Sequence, residues 1–464
     1  MTDSRKDVQT TLFGKTITRR RLVQTAAVAG AAASTAFHAP AVLGQEKAKV
    51  TFWTTHTDVG FDSLKTITDM FNAQSQDATV EIVQRPAADV EDSSGLITAV
   101  RGGSGPDVYL LDRFIVAERA GQGLLQDISS LASDNGLDPS LDGVYIAFAS
   151  AEAHFNDGLF ALPFDTDLRA LYYNKKLLTD AGIDLEAWDP KNGVLTWDAV
   201  KEAAAKLDVK DGDSFSTVGF VPYYNQGWHY TYGFSWGGEF FDYDKCEVTP
   251  DNPKVLEAMQ WVYDYTKGEG ADAMYAFIQG AMRPGAPPNE SPWNQNRLAI
   301  NLTGDWEIAN IPKYNPDLDY GITYLPVPTD GMDSTTWAGG WSMVIPQGAK
   351  EPEAAFKFMQ YACGADGQRQ YTKDTSHIPT LLEVQKDKTL YDERHLFFID
   401  ELLATAKNRP PLPVGAKYWA EMTSAWEKIY LNLADPATAM GEAKKNTQAD
   451  LDSGGFCPIA KPAS

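Results

Sequence analysis

Two stretches of this chain carry side chains of the types and spacing that could do chemistry. The first is Gly158 to Leu178, GLFALPFDTDLRALYYNKKLL, where an apolar run bounded by Gly158 and Pro163 gives way to Asp165, Asp167 and Arg169 and resumes as ALYYN. Charges on such a strand are costly in a dry core and suit the floor of a wet cleft. An edge strand with its charges on the solvent face is the other reading. The second stretch is GFVPYYNQGWHYTYGFSWGGEFFDYD, whose aromatics between Tyr223 and Trp236 interleave with Gly, Asn and Gln. That composition fits loops lining a pocket, with simple packing as the alternative. Against these stand no nucleophile elbow, no P-loop and no HExxH. His56, His154, His229, His377 and His395 are scattered without metal-ligand spacing, and no Cys/His cluster occurs. The expectation is therefore a binding site without catalytic residues, cofactor or metal.

The elements that must position these residues begin at Lys49. KVTFWTT alternates as a strand, Asp62 to Gln74 places Leu64, Ile67 and Phe71 at helical spacing, TVEIVQR is a second strand, Val90 to Val100 reads as a helix, and DVYLLD is a third strand. Such alternation predicts right-handed βαβ units and a parallel sheet. Ligands in open α/β sheets bind beyond the carboxyl ends of the strands. This puts Thr54, Thr55, His56 and Asp58 at one mouth with Asp112 and Arg113. Further on, Thr196 caps a helix through Leu207. The proline-rich loop RPGAPPNESPWNQN presents Trp293 and Asn294, and Leu298 to Thr303 is a buried strand followed by Gly304-Asp305-Trp306. Ala355, Phe358, Met359 and Ala362 recur at the period of an amphipathic helix.

The stretch Gly158 to Leu178 resembles the GLPY…alyYNk segment of the family 1 extracellular solute-binding proteins, the periplasmic sugar-binding components of bacterial ATP-driven importers. Agreeing with it in order are GSGPDVYLLD (Gly103 to Asp112), TWDAVKEAAAKL (Thr196 to Leu207), LAINLTGDWEIA (Leu298 to Ala309), WAGGWSMVIP (Trp337 to Pro346) and the helical region from Trp426 to Asp452. The resemblance covers nearly all of the chain after residue 44. It implies the type II periplasmic-binding-protein fold, two α/β domains joined by a multi-strand hinge with the ligand cleft between them. Crossings are expected at Asp165, at Gly304 to Trp306 and near Pro328 to Ser334. One domain then holds 46–165 plus 305–330, and the other 168–300 plus 335–464.

The resemblance also implies a neutral mono- or oligosaccharide ligand, captured by hinge closure, and an ABC transporter permease as partner. A sugar offers hydroxyls at its rim and apolar C–H patches on its faces. Expected at the rim are His56, Asp112, Asp165, Asn294, Asp305 and Arg409; expected on the faces are Trp228, Trp293, Trp306, Trp337 and Trp341. Gly339 and Gly340 bring backbone N–H groups close to a ligand or make a tight turn. About half of the tryptophans are core by ordinary habit. Arg409 either pairs with a surface carboxylate or meets an anionic substituent. The alternatives are a binder of a charged sugar derivative or polyol, and a secreted carbohydrate-active enzyme.

The 464 residues suffice for two or three domains. Lys and Arg total 40 against 63 Asp and Glu, a net charge of −23, which disfavours nucleic acid and anionic membrane surfaces as partners. Residues 1–44 read as a cleavable export signal of the twin-arginine type: Arg19-Arg20-Arg21 precede the weakly apolar run Ala26 to Phe37 and then small residues at Ala39-Pro40-Ala41 and Val42-Leu43-Gly44. A periplasmic monomer follows as the expectation. Of the three cysteines, Cys246, Cys363 and Cys457, two at most can pair, and Cys363 ends a helical pattern as a small buried residue.

Overall fold

The computed structural model describes residues 46–86, 93–212, 214–283, 286–459 and 461; the export segment lies outside them. The alternating run at the start becomes β1 (Ala48–Thr54), which buries Val50, Phe52 and Thr54 on one face. Next come α1 (Asp58–Gln74), sealed onto the sheet by Leu64, Ile67 and Phe71, β2 (Ala78–Gln84), α2 (Ser94–Arg101) and β3 (Val108–Asp112). β1 pairs in parallel with both β2 and β3. The apolar residues Val108 to Leu111 are all buried, as befits an inner strand covered on both faces.

The chain then passes from this sheet to a second one without a break. β4 (Ala161–Pro163) belongs to the first sheet, and after Phe164 the chain enters β5 (Asp165–Asn174), all ten residues of which are buried. Around β5 assemble α3 (Trp197–Leu207), β6 (Ser214–Phe220), α4 (His229–Ser235), β7 (Leu298–Gly304), α5 (Glu307–Tyr314) and β8 (Tyr320–Thr323). Thr196 caps α3 as expected, its hydroxyl accepting from the Ala199 N–H at 3.1 Å. A second continuous run, β9 (Trp337–Gly339) and β10 (Trp341–Val344), spans both sheets: β9 pairs with β5, and β10 lies antiparallel between β3 and β4. Then follow α6 (Pro352–Ala362), α7 (Ala365–Thr375), β11 (Ile378–Pro379), β12 (Lys407–Asn408), α8 (Gly415–Tyr430) and α9 (Pro436–Gly454). The first sheet has the order β2-β1-β3-β10-β4, and the second centres on β12-β9-β5-β7-β6. The described residues from Lys47 onward form one compact unit.

Strand pairing departs from the expected partition in three respects. Residues 305–330 do not return to the first sheet, because β8 pairs with β5 and keeps that segment on the second. The second crossing is at Gly340, not at Gly304 to Trp306 or near Pro328 to Ser334. Helices α6 and α7 pack on α1 and so belong to the first lobe, not with the rest of 335–464. The physical reason is common to all three: an apolar run tells that a strand is buried but not which sheet receives it.

Gly340 shows why the crossing can be so narrow. Its φ is +134°, and a Cβ there would stand 2.4 Å from the Asp165 carbonyl oxygen and 2.4 Å from Arg113 Nη1. Far from the crossings, Cys246 and Cys457 form a disulfide with Cα atoms 6.1 Å apart, and Cys363 is free and buried.

Candidate functional site

The two sheets meet over a cleft made of three adjoining cavities, of about 700, 300 and 370 Å3. Trp306 lines all three. It stands at the N-terminus of α5, lying across Gly304, where a Cβ would sit 2.2 Å from its ring. Glycine at the end of β7 is thus what lets the indole fold back over the strand. Its flanks are held by Arg169, 5.5 Å from the ring centroid, and by the His377 ring, stacked at 5.7 Å and 27°.

The central cavity rests on alternate residues of β5. Asp167 and Arg169 point to the same face of the strand, as period two requires, and form a buried ion pair with each other. Arg169 Nε also donates to Gln226 Oε1 at 3.0 Å, and its guanidinium lies 3.6 Å from the Trp337 ring centroid. Opposite, Arg409 Nη2 donates to Asp112 Oδ1 at 2.7 Å, and the same guanidinium stacks on Phe114 at 3.7 Å. Burial pushes Asp167 up, but Arg169, His377, Arg113 and Arg409 together hold it below the usual carboxylate range. The smaller neighbouring cavity lies at the carboxyl end of β1, where His56 packs edge-on against Trp341 with centroids 4.5 Å apart. Burial, with His377 second, lowers His56 to about 3, and burial lowers His377 to about 4. Both rings are therefore neutral at pH 7.

Most expected residues converge here. His56, Asp112, Trp228, Trp306, Trp341 and Arg409 line the cleft, and Trp293 and Asn294 line its largest cavity. Trp228, Trp306 and Trp341 are half-buried and present ring surface, whereas Trp293 and Trp337 are buried at their cavity walls. Trp337 serves chiefly as a platform for Arg169 and Arg409, and its Nε1 donates to Thr231 at 2.7 Å.

Four expectations are corrected. Asp165 lines none of these cavities: it lies at the crossing, where Oδ1 accepts from the Trp341 N–H at 2.7 Å. Asp305 is likewise enclosed, accepting from the Leu168 N–H at 3.1 Å. Burial and the nearby Asp167 push both carboxyls well up, and both act as fasteners of backbone. The Gly339 N–H donates to Asp167 at 3.0 Å and is not offered to a ligand; Gly339 and Gly340 line the central cavity but serve close packing at the crossing. Arg113 is drawn inside instead of standing at the mouth, pairing with buried Glu152 and donating to the Asp165 carbonyl at 2.7 Å. Gly233-Phe234-Ser235-Trp236-Gly237 does have the GxSxG spacing of a nucleophile elbow. Ser235 sits in α4, buried, between the Trp197 indole and the Pro326 carbonyl, and is no nucleophile elbow.

From the sequence, the alternation Asp165-x-Asp167-x-Arg169 places Asp167 and Arg169 on the cleft floor but gives them no place at the rim, and Gln226, His377 and Trp419 are left out. A lone His or Trp on a distant segment carries no signal. Among the described residues no group of three or more His, Cys, Asp or Glu is placed to hold a metal, and no helix is long and apolar enough to cross a membrane.

The family model described as "Bacterial extracellular solute-binding protein" matches residues 56–369. The chain belongs to that family. Among its relatives are the maltotriose-binding protein of Pyrococcus abyssi, 23% identical over 402 residues that cover 85% of this chain and 80% of that one. The galactooligosaccharide-binding protein of Bacillus subtilis is 21% identical, covering 82% and 84%. In three dimensions the chain is similar to CpMnBP1 solved with mannobiose bound, with a TM-score of 0.77 and 19% identity over 87% of this chain and 100% of that one. The fold is that of the type II periplasmic sugar-binding proteins: two α/β lobes with the cleft between them.

Proposed function

We propose that this solute-binding protein captures a neutral carbohydrate, a mono- or oligosaccharide, by closing its two lobes on it, and hands it intact to the permease of an ABC transporter. The observation that carries this reading is the pairing, in one cleft, of the half-buried rings of Trp228, Trp306 and Trp341 with charge-balanced planar groups. The rings match the apolar faces of a sugar. Asp112, Asp167, Arg169, Gln226 and Arg409 match vicinal hydroxyls, and hydrogen bonds to such charged groups contribute roughly 1.5–3 kcal/mol each. Each arginine lining the cavities already has a carboxylate partner: Arg169 with Asp167, Arg409 with Asp112, Arg283 with Glu290. That pairing favours a neutral ligand over a sugar acid or phosphate.

The narrow crossings at Phe164 and Gly340, together with the return of the chain to the second lobe between Leu381 and Lys407, act as the hinge, and a ligand touching both lobes favours the closed state. The names of the relatives, several of them saccharide binders, support the same ligand class. Export through the 1–44 signal, a periplasmic location, a monomeric state and the absence of turnover complete the reading. A thermal-shift screen of neutral sugars, polyols, sugar acids and sugar phosphates tests it. A ligand at one hundred times its Kd adds about 2.7 kcal/mol of stability, and the sugar is expected back chemically intact. Stabilisation by anionic ligands alone, or conversion of the sugar, would refute the reading.

A further inference from the structure

Among the described residues, two ion pairs reach across the cleft from lobe to lobe. Asp112 with Arg409 lies in the central cavity, where their side chains are 19% and 5% exposed. Asp58 with Lys313 lies elsewhere: Asp58 opens α1 of the first lobe, and Lys313 stands in the last turn of α5 of the second. The order of the first sheet, β2-β1-β3-β10-β4, sets how far each pair is from the hinge. Asp112 ends β3, which pairs directly with the crossing strand β10. Asp58 follows β1, one strand further out, which by strand spacing adds about 5 Å of lever arm. On the second lobe, Lys313 is about two helical turns beyond Trp306. The pair therefore spans the mouth of the cleft.

Local structure prepares both partners. An anion is welcome in the first turn of a helix and a cation in the last, so each charge sits where its own helix favours it. Asp58 holds a φ of +54°, in the left-handed region that Asp and Asn tolerate better than most residues. Asp58 stands at the rim of the smallest cavity, while Lys313 lines none of the three. Their side chains are 34% and 43% exposed, so dissolved ions reach this pair far more readily than the one inside.

We infer that Asp58 and Lys313 form an electrostatic latch at the mouth of the cleft, which draws part of the ligand-free protein into the closed arrangement and makes the affinity for an uncharged ligand depend on salt. The inference rests on the lobe-closing part of the carbohydrate reading. Apparent affinity rises with the fraction of protein already in the state that the ligand prefers. Exposed pairs of this kind shift such an equilibrium by up to about fivefold. At about 1 M salt the screening length falls to about 3 Å, which removes most of that bias. A neutral sugar carries no charge for salt to act on, so the salt response belongs to the protein.

The test is small-angle X-ray scattering of the ligand-free protein at low salt and at about 1 M NaCl. The radius of gyration of the wild type is expected to rise with salt. Asp58→Asn, which keeps the backbone preference, and Lys313→Met, which keeps the length, should show the larger radius at both salts, while Lys313→Arg should behave as the wild type. Calorimetric titration with maltotriose and mannobiose as probes should show binding of whichever is taken weakened about two- to fivefold in Asp58→Asn at low salt and equal to the wild type at high salt. A wild-type radius indifferent to salt, or one shared by Asp58→Asn, would overturn the latch; contraction on adding either sugar would then leave the lobe-closing reading standing. Binding of a probe without contraction would overturn both.

Discussion

The crossing beneath the central cleft and the largest cavity of the second lobe are both polar and both enclosed, yet they differ in charge. At the crossing, Arg113 is matched by Glu152, Asp167 by Arg169 and the Gly339 N–H, and Asp165 by the Trp341 N–H, although one oxygen each of Asp165 and Asp305 has no hydrogen-bond partner among the described residues. In the cavity wall, Tyr223, Trp293, Asn301 and Thr423 have buried neutral polar atoms with no hydrogen-bond partner among the described residues. The lesson is that buried charge at a narrow passage is matched by opposite charge or by backbone N–H, whereas neutral polar atoms carry no such demand.

The sharpest way to break this comparison is to remove a partner at the crossing. Arg113→Met leaves Glu152 buried without its cation, and breaking a buried pair costs about 3–5 kcal/mol; chemical denaturation should show that loss, and an unchanged midpoint would refute the fastening role. A smaller effect concerns His377, which faces Asp165, Asp167, Arg169 and His56. Its folded pKa of about 4 lies below the ordinary 6.5, so its contribution to stability is complete above pH 6.5 and is lost as pH falls towards 4. Each such proton gives a slope of about 1.4 kcal/mol per pH unit. His377→Gln should remove that one-proton slope between pH 4 and 6.5, while the raised carboxyls Asp165 and Asp305 continue to act in the opposite sense. Identical pH profiles for the two proteins would show that His377 is not held neutral. The smallest effect, and one of opposite sign, is expected in the second lobe: Thr423→Val replaces an unpartnered buried hydroxyl by a methyl and should raise stability by about 1 kcal/mol. A loss of several kcal/mol would reveal a partner for that hydroxyl and erase the contrast.

How much of this was legible in the sequence follows from the reach of each signal. The βαβ start, the cap at Thr196 and the passage at Asp165 rest on local periodicity or capping, and the structure has β1, α1, β2 and the Phe164 crossing where those signals lie. His56 and Asp112 followed from their positions at strand ends. The Gly340 crossing did not, because β9 and β10 read as one apolar run and only pairing reveals that Ala338 meets Leu168 while Ser342 meets Leu111. Asp165 and Asp305 were read as ligand groups because sequence cannot distinguish a carboxylate facing a cavity from one accepting a backbone N–H. Trp337 looked like a sugar platform and turned out to be an arginine platform, since stacking partners 168 and 72 residues away in the chain leave no local trace.

The central claim is that a saccharide lies against Trp306, where the three cavities meet. Calorimetric titration of the wild type and Trp306→Ala with the saccharide found by the screen tests it most directly. Loss of one aromatic face should cost about 1–3 kcal/mol, a weakening of roughly tenfold or more, with the melting temperature of the unliganded protein little changed. Equal affinity in the two proteins would contradict the account.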